Sequence, residues 1–248
     1  MADQLSVTGM VISDMPIGDY DKRLVILTKE LGKISAFARG ARKPNSPFIA
    51  GSRPFSFGEF TLYQGKGSFT ISTMSISNYF NGLSQNFEAA YYGFYFLEIA
   101  DYFGKENEDG EDTLTLLYQS FRALLNENID NEIVRYIYEL RIFLINGEYP
   151  RVSECSNCGS KENLSVFSQM KEGAFCNECK KSAGDGKTLN VSTFYAMQYI
   201  LSSPIEKLFT FKVSDKVKIE LSSIMKNYLQ RHIDKKLKSL EILENIIV

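Results

Sequence analysis

Cys155-Ser-Asn-Cys158, followed after 17 residues by Cys176-Asn-Glu-Cys179, decides how the chain is divided, because these two pairs use every cysteine in the 248 residues. Two thiolates two residues apart on a tight turn can grip an ion from one side. Two such knuckles complete a tetrahedron, which is the arrangement of a structural zinc. Gly159, directly after the first pair, suits the sharp turn. Two disulfides or free thiols are the alternatives. The opening Met1-Ala-Asp-Gln4 is polar and acidic rather than basic and apolar, so no secretory signal is read there, and zinc is favoured over disulfides. Four sulfur ligands leave no position open for water, and the stretch offers no histidine. The expected role of the ion is therefore structural, not catalytic.

Outward from the cysteines the pattern is helical on both sides. Upstream, Phe87, Tyr91, Phe94, Tyr95 and Tyr102 recur at helical spacing, and core packing is favoured for them over a base-stacking platform. Thr113 to Leu125 and Glu132 to Ile145 read as amphipathic helices, the second stopped by Asn146-Gly147 and Pro150. Gly104 to Asp112 reads as a solvated acidic loop. Downstream, Ser192 or Thr193 is expected to cap a helix through Leu201, Pro204 to break it, and Ser214 to cap a helix to about His232. Lys235-Lys236-Leu237-Lys238-Ser239-Leu240 leads to a last apolar segment expected to pack back on the helices. The ribbon, 152–186, thus reads as an insertion in an α-helical domain of 81–151 and 187–248.

Residues 1–80 are different in kind. Leu5 to Ile12, Val25 to Thr28, Ile34 to Arg39, Phe55 to Tyr63 and Phe69 to Ile76 read as five short strands. Turns are expected at Leu31-Gly32-Lys33 and Gln64-Gly65-Lys66-Gly67-Ser68. Five strands with no helical pattern between them predict a small closed barrel of the OB type, ahead of an SH3-like one. The Gly-Lys-Gly-Ser turn is not a phosphate loop, since Phe60 stands where the first glycine would be needed and a strand follows. The fold class is α+β and multi-domain: an OB-fold barrel, then a helical domain carrying a four-cysteine zinc ribbon.

The net charge of -2 conceals a segregation: residues 1–80 carry +3, 81–150 carry -9 and 151–248 carry +4. From Lys22 to Lys66 there are nine basic residues (Lys22, Arg23, Lys29, Lys33, Arg39, Arg42, Lys43, Arg53, Lys66) against two acids, Glu30 and Glu59. Guanidinium forks and ammonium groups around Arg39-Gly-Ala-Arg-Lys-Pro44 suit phosphate oxygens, and a polyanion held there would bind in a salt-dependent way. Phe37, Phe48, Phe55 and Phe57 are interleaved and could add stacking; a solvated basic face over core phenylalanines is the plainer alternative. Catalytic constellations are scarce. His232 is the only histidine and reads as a surface or C-terminal-turn residue, and no acids fall into a two-metal spacing in the barrel. A binding protein is favoured over an enzyme. No apolar run approaches the roughly 18 residues that cross a bilayer, so a cytoplasmic protein is expected.

Thr8-Gly-Met-Val-Ile12, Gly18-Asp-Tyr-Asp-Lys-Arg-Leu24, Thr28-Lys-Glu-Leu-Gly-Lys33, Arg39-Gly-Ala-Arg-Lys43 and Pro54-Phe55, with the four cysteines and Leu237-Lys-Ser-Leu240 in order, resemble the RecO family of bacterial recombination mediators. The resemblance runs nearly the whole length and is most specific in the first third. It implies an OB-fold, a helical domain and, in some members, a zinc module. It further implies binding of single- and double-stranded DNA, annealing of strands coated with single-stranded DNA-binding protein (SSB), and work with RecR to load RecA. On this chain Lys22, Arg23, Lys33, Arg39, Arg42 and Lys43 become the candidate phosphate contacts. Asp19 stands where the family commonly has Glu. Lys180, Lys181, Lys235, Lys236 and Lys238 are the candidates should DNA extend beyond the barrel. A protein-docking adaptor whose helical domain binds a partner tail, and a nuclease, are the competing classes.

Overall fold

In the computed structural model the described residues are 4–65 and 67–246; Lys66 and the opening Met1-Ala-Asp3 lie outside them. The chain packs as two compact units, one of residues 1–125 with 237–248, the other of 126–236.

The first unit contains a closed barrel in the order β1-β2-β3-β5-β4, formed by β1 (Gln4–Ile17), β2 (Asp21–Thr28), β3 (Gly32–Ala38), β4 (Phe57–Gln64) and β5 (Phe69–Asn78). This is the OB arrangement expected. Strand β1 is longer than its apolar run, because it serves two neighbours. Its first half pairs with β4, from Gln4↔Tyr63 to Met10↔Phe57, and its second half with β2, from Gly9↔Thr28 to Ile17↔Asp21, across a bulge between Val11 and Ser13. At the overlap a Cβ on Gly9 would lie 2.7 Å from the Leu27 carbonyl oxygen, so only glycine fits there. A short parallel pairing, Ala36↔Phe69 and Phe37↔Thr70, closes the barrel. Alternate residues, among them Val7, Val11, Leu24, Ile26, Ile34, Phe60, Leu62 and Ile71, fill the interior, each stabilising the fold by about 1.5–3 kcal/mol if fully buried.

Phe55, expected to open a strand, instead sits before β4 with φ 73°. Its ring leaves the barrel and meets Phe94 and Phe121 edge-on, with centroids 4.8 and 5.3 Å away. Phe57 likewise rests on Tyr118 at 4.7 Å, and Phe48 packs on the barrel core, so these rings are occupied in packing. The helices receiving them are α1 (Asn81–Gln85), α2 (Phe87–Phe103) and α3 (Glu111–Leu124). Asn86 caps α2 by accepting from the Ala89 N–H.

Residues 104–112 are more than a solvated loop. Lys33 N–H donates to the Lys105 carbonyl (2.8 Å), Asn107 N–H to Leu31 (3.0 Å) and Gly110 N–H to Lys29 (2.9 Å), binding the acidic segment to the β2–β3 turn. Gly32, at φ +63°, lies so close that a Cβ would fall 2.2 Å from the Lys105 carbonyl oxygen. The final helix, here numbered α7 (Lys238–Ile246), packs on α2 as expected. The Glu98 carboxylate of α2 accepts from the Lys238 and Ser239 N–H groups and the Ser239 hydroxyl, which caps α7 from outside.

The second unit is built on α4 (Asn131–Ile145), in which every residue from Ile133 to Phe143 is buried. Against it lie α5 (Val191–Ser202) and α6 (Asp215–His232). Asn190, not Ser192 or Thr193, caps α5, its side chain accepting from Ser192 N–H; Ser214 caps α6 as expected. Between α4 and α5 comes a three-stranded ribbon of order β7-β6-β8, made of β6 (Leu164–Ser168), β7 (Gly173–Cys176) and β8 (Lys187–Thr188). Its hairpin turn docks on the end of α6. Glu172 accepts from His232 Nε2 at 2.8 Å and pairs with Arg231 Nε at 3.5 Å, while Arg231 also donates to the Gln169 and Met170 carbonyls. His232, expected as a surface or C-terminal-turn residue, ends α6, stacked on Tyr228 at 4.4 Å and placed between Glu148 and Glu172. It is a fastening residue.

Candidate metal centre and nucleic-acid interface

The first knuckle is shaped by its own backbone. Gly159, at φ 75°, lets its N–H reach the Cys155 carbonyl at 2.8 Å, and Cys155 N–H donates to Ser160 at 2.7 Å. The second closes by Cys179 N–H donating to Cys176 at 3.1 Å. Antiparallel pairing of β6 with β7 then carries Cys176 to the first knuckle. All four sulfurs lie within 4.8 Å of one another, and all are free thiols. Cys158 Sγ and Cys176 Sγ are 3.8 Å apart, the edge of a tetrahedron whose metal–sulfur bonds are about 2.3 Å. The residues therefore fit a four-thiolate metal ion.

The protons are unevenly held. Burial opposes the Cys155 thiolate, but backbone N–H groups of Cys176, Asn157 and Cys158 outweigh it and hold the thiol down to about 6. Around Cys179 the Asn157 amide, donating at 3.3 Å, favours the thiolate, yet burial and the sulfurs of Cys158, Cys176 and Cys155 push it up to about 12. Cys158 also rises: a backbone bond from Ser160 favours its thiolate, but the sulfurs of Cys155 and Cys176 together with burial outweigh it. Four sulfurs this close cannot all ionise by themselves, and a divalent cation removes that obstacle.

The six basic candidates of the barrel fall into two groups. Lys22 Nζ lies 2.7 Å from Asp14 and donates to the Ser52 carbonyl at 3.1 Å, its side chain 16% exposed. Lys33 Nζ donates to the Asp101 carbonyl at 2.6 Å and pairs with its carboxylate at 3.3 Å. Both charges are spent inside the unit, as is that of Lys29, 2.6 Å from Glu111, which raises the lysine's pKa by hydrogen bonding and charge. Arg23, Arg39, Arg42 and Lys43 are exposed and form no ion pair among the described residues. Arg53 shares both properties.

Arg39, Arg42 and Lys43 are brought together by the turn after β3. Ala41, 2% exposed, is inserted in the barrel core and pins the segment. Gly40, at φ +68°, donates its N–H to Asp21 Oδ1 at 2.7 Å. Arg42 N–H donates to the Tyr20 carbonyl at 2.8 Å and its guanidinium to Gly18 at 3.1 Å, tying this turn to the β1–β2 turn. Lys43 Nζ lies over the Tyr20 ring, 5.7 Å from its centroid. Tyr20 itself is 53% exposed. The sequence places Arg53 in the basic cluster but not among the six phosphate candidates, and Tyr20 is not singled out there; an exposed aromatic in Gly18-Asp-Tyr-Asp was the available signal for it. Arg23 stands apart on β2 between Met15 and Phe37, its Nε donating to Ser35 at 2.7 Å.

A family profile described as "Recombination protein O N terminal" matches residues 1–80, and one described as "Recombination protein O C terminal" matches 84–241. A "DNA repair protein RecO" of Acetivibrio thermocellus is 30% identical over 98% of this chain and 97% of its own. Proteins of the same description from Alkaliphilus metalliredigens (strain QYMF) and Thermoanaerobacter sp. (strain X514) are each 29% identical over 98% of this chain, covering 99% and 98% of their own length. No described helix is long and apolar enough to cross a membrane.

Proposed function

Because the chain belongs to the recombination protein O family of DNA repair proteins, we propose that it is a cytoplasmic mediator that works by binding DNA and not by catalysis. Its reaction is the annealing of complementary strands coated with SSB, and its partners are single- and double-stranded DNA, the SSB tail and RecR, through which RecA loading is assisted. The observation that carries this reading is the pinned turn of Arg39, Arg42 and Lys43, three cations without carboxylate partners among the described residues on one loop of the barrel. Neutralising two phosphate backbones at such a loop relieves their repulsion and leaves base pairing to complete the product. Residues 1–80 act as the DNA-binding module, 81–151 with 187–248 as the helical module, and 152–186 as the ribbon. Cys155, Cys158, Cys176 and Cys179 hold one zinc, whose binding stabilises a ribbon too small to fold on its own core.

The test is the rate of annealing of SSB-coated complementary strands, with and without the protein and in the absence of ATP. Acceleration supports the reading. No acceleration by folded, zinc-replete protein rejects it.

A further inference from the structure

Several large aromatic rings of the first unit stand outside its core. On α2, Phe87 and Phe94 are 67% and 47% exposed, and Tyr79, at the end of the barrel, is 39% exposed. Tyr79 and Phe94 line a groove of about 500 Å³ in the first unit, with Arg53, Phe55, Phe80 and Asn81 among its other walls. Its floor is rigid. Phe55 and Phe80 both hold left-handed backbone, φ 73° and 47°, and both set their rings edge-on against the fully buried Phe121 at 5.3 Å. Two bulky residues kept in a conformation costing about 1–3 kcal/mol each mark a place where the backbone is held for its shape.

Charge decides among occupants. The groove has one cation and no carboxylate among its lining residues; a smaller depression around Lys212 in the second unit shares this, whereas two others contain Glu111 or the acids Asp130 and Asp215. Arg53 lies in the same inter-strand segment, 39–56, that begins at Arg39. Aromatic walls with amide and hydroxyl groups, approached from a cationic loop, match an unpaired nucleobase on a phosphate backbone. A base inside a duplex, paired and stacked on both sides, cannot enter. We propose that this groove is a subsite for one unpaired base of single-stranded DNA, stacked on Phe94 and Tyr79 with its phosphate towards Arg53. It rests on the binding reading above and adds the means of telling single strands from duplex: the basic turn holds either, the groove only one.

The full-length protein is titrated with fluorescein-labelled oligothymidylate and with a labelled hairpin duplex at one salt concentration. Tyr79→Ala and Phe94→Leu, the second keeping bulk but not the π face, should each weaken oligothymidylate binding about tenfold and leave duplex binding and the salt slope unchanged. Phe94→Trp should restore or strengthen it. Equal loss on both probes would make the rings structural and overturn the subsite, as would Phe94→Leu binding like the wild type. Should the variants instead change sedimentation from dimer to monomer with strand binding intact, the groove is a contact between copies and the proposal fails. If wild type bound neither probe, the functional reading itself would fall; if Arg39→Ala/Arg42→Ala lost both probes equally while the groove variants lost none, only the subsite would.

Discussion

The separation of the barrel cations into paired and unpaired sets fixes how DNA affinity must respond to salt. Five exposed residues, Arg23, Arg39, Arg42, Lys43 and Arg53, lack a carboxylate partner among the described residues. If each neutralises one phosphate, log K falls against log salt with a slope of about −4.5 on duplex and about −3.5 on a single strand. Raising salt fourfold then weakens duplex binding about 500-fold. Arg39→Ala/Arg42→Ala removes two contacts and brings the duplex slope to about −2.7, so the same rise costs only about 40-fold. Lys22→Met/Lys33→Met should leave the slope where it was, because Asp14 and Asp101 already neutralise those ammonium groups. Its cost appears in stability, about 0.2–1 kcal/mol for each pair, since water reaches both carboxylates. Fluorescence anisotropy across a sodium chloride series gives the slopes, and thermal melts give the stabilities. Equal flattening by the two double variants would refute the assignment, and so would an unchanged slope for the arginine pair.

Cys155→Ser should release the metal, read by elemental analysis, and lower the melting temperature; a full metal content in that variant would place the ion elsewhere. Gly32→Ala should destabilise by about 3 kcal/mol or more, since the new Cβ meets the Lys105 carbonyl in a left-handed residue; a wild-type melt would mean that 104–112 is not fastened to the barrel. Burial works against the Asp185 carboxylate, but the Ser168 hydroxyl and Met170 N–H more than compensate and keep its pKa below the usual range. A depressed carboxyl stabilises above its unfolded value and ceases to as pH falls through the folded one. Asp185→Ala should therefore melt below wild type at neutral pH, and the gap should close below about pH 4. Glu98→Ala should speed amide exchange in 238–246, because the external cap of α7 is lost, at about 1 kcal/mol.

Much of this architecture was written in short-range pattern. Val7, Val11, Leu24, Ile26, Phe60 and Leu62 alternate as barrel strands must, and the cysteine spacing alone brings four sulfurs together. Ser214 is a cap because a hydroxyl precedes a helical stripe. What escaped notice depends on partners far along the chain. Lys22 and Arg23 are neighbours of equal charge, and only the register of β1 against β2 gives the first of them Asp14. The fastening of 104–112 uses backbone groups, which every sequence possesses. The aromatic residues of α2 are so evenly apolar that periodicity could not say which of them, Phe96 or Phe94, faced outward. Phe55 kept the composition of a strand residue, and its left-handed backbone became visible only with Phe121 behind it.

The return of α7 to the first unit has a consequence for biosynthesis. Residues 1–125 are completed by 237–248, and 126–236, 111 residues, are made in between. At a ribosomal rate of about 5–20 residues per second, the barrel and its helices wait roughly 6–22 s for the segment bearing Leu243, which is fully buried when docked. During that interval the apolar surface α7 will cover lies open to the translating cell. A nascent chain halted after α6 would bring a finished second unit and an unfinished first one, which makes the segment of α7 the checkpoint of the whole molecule.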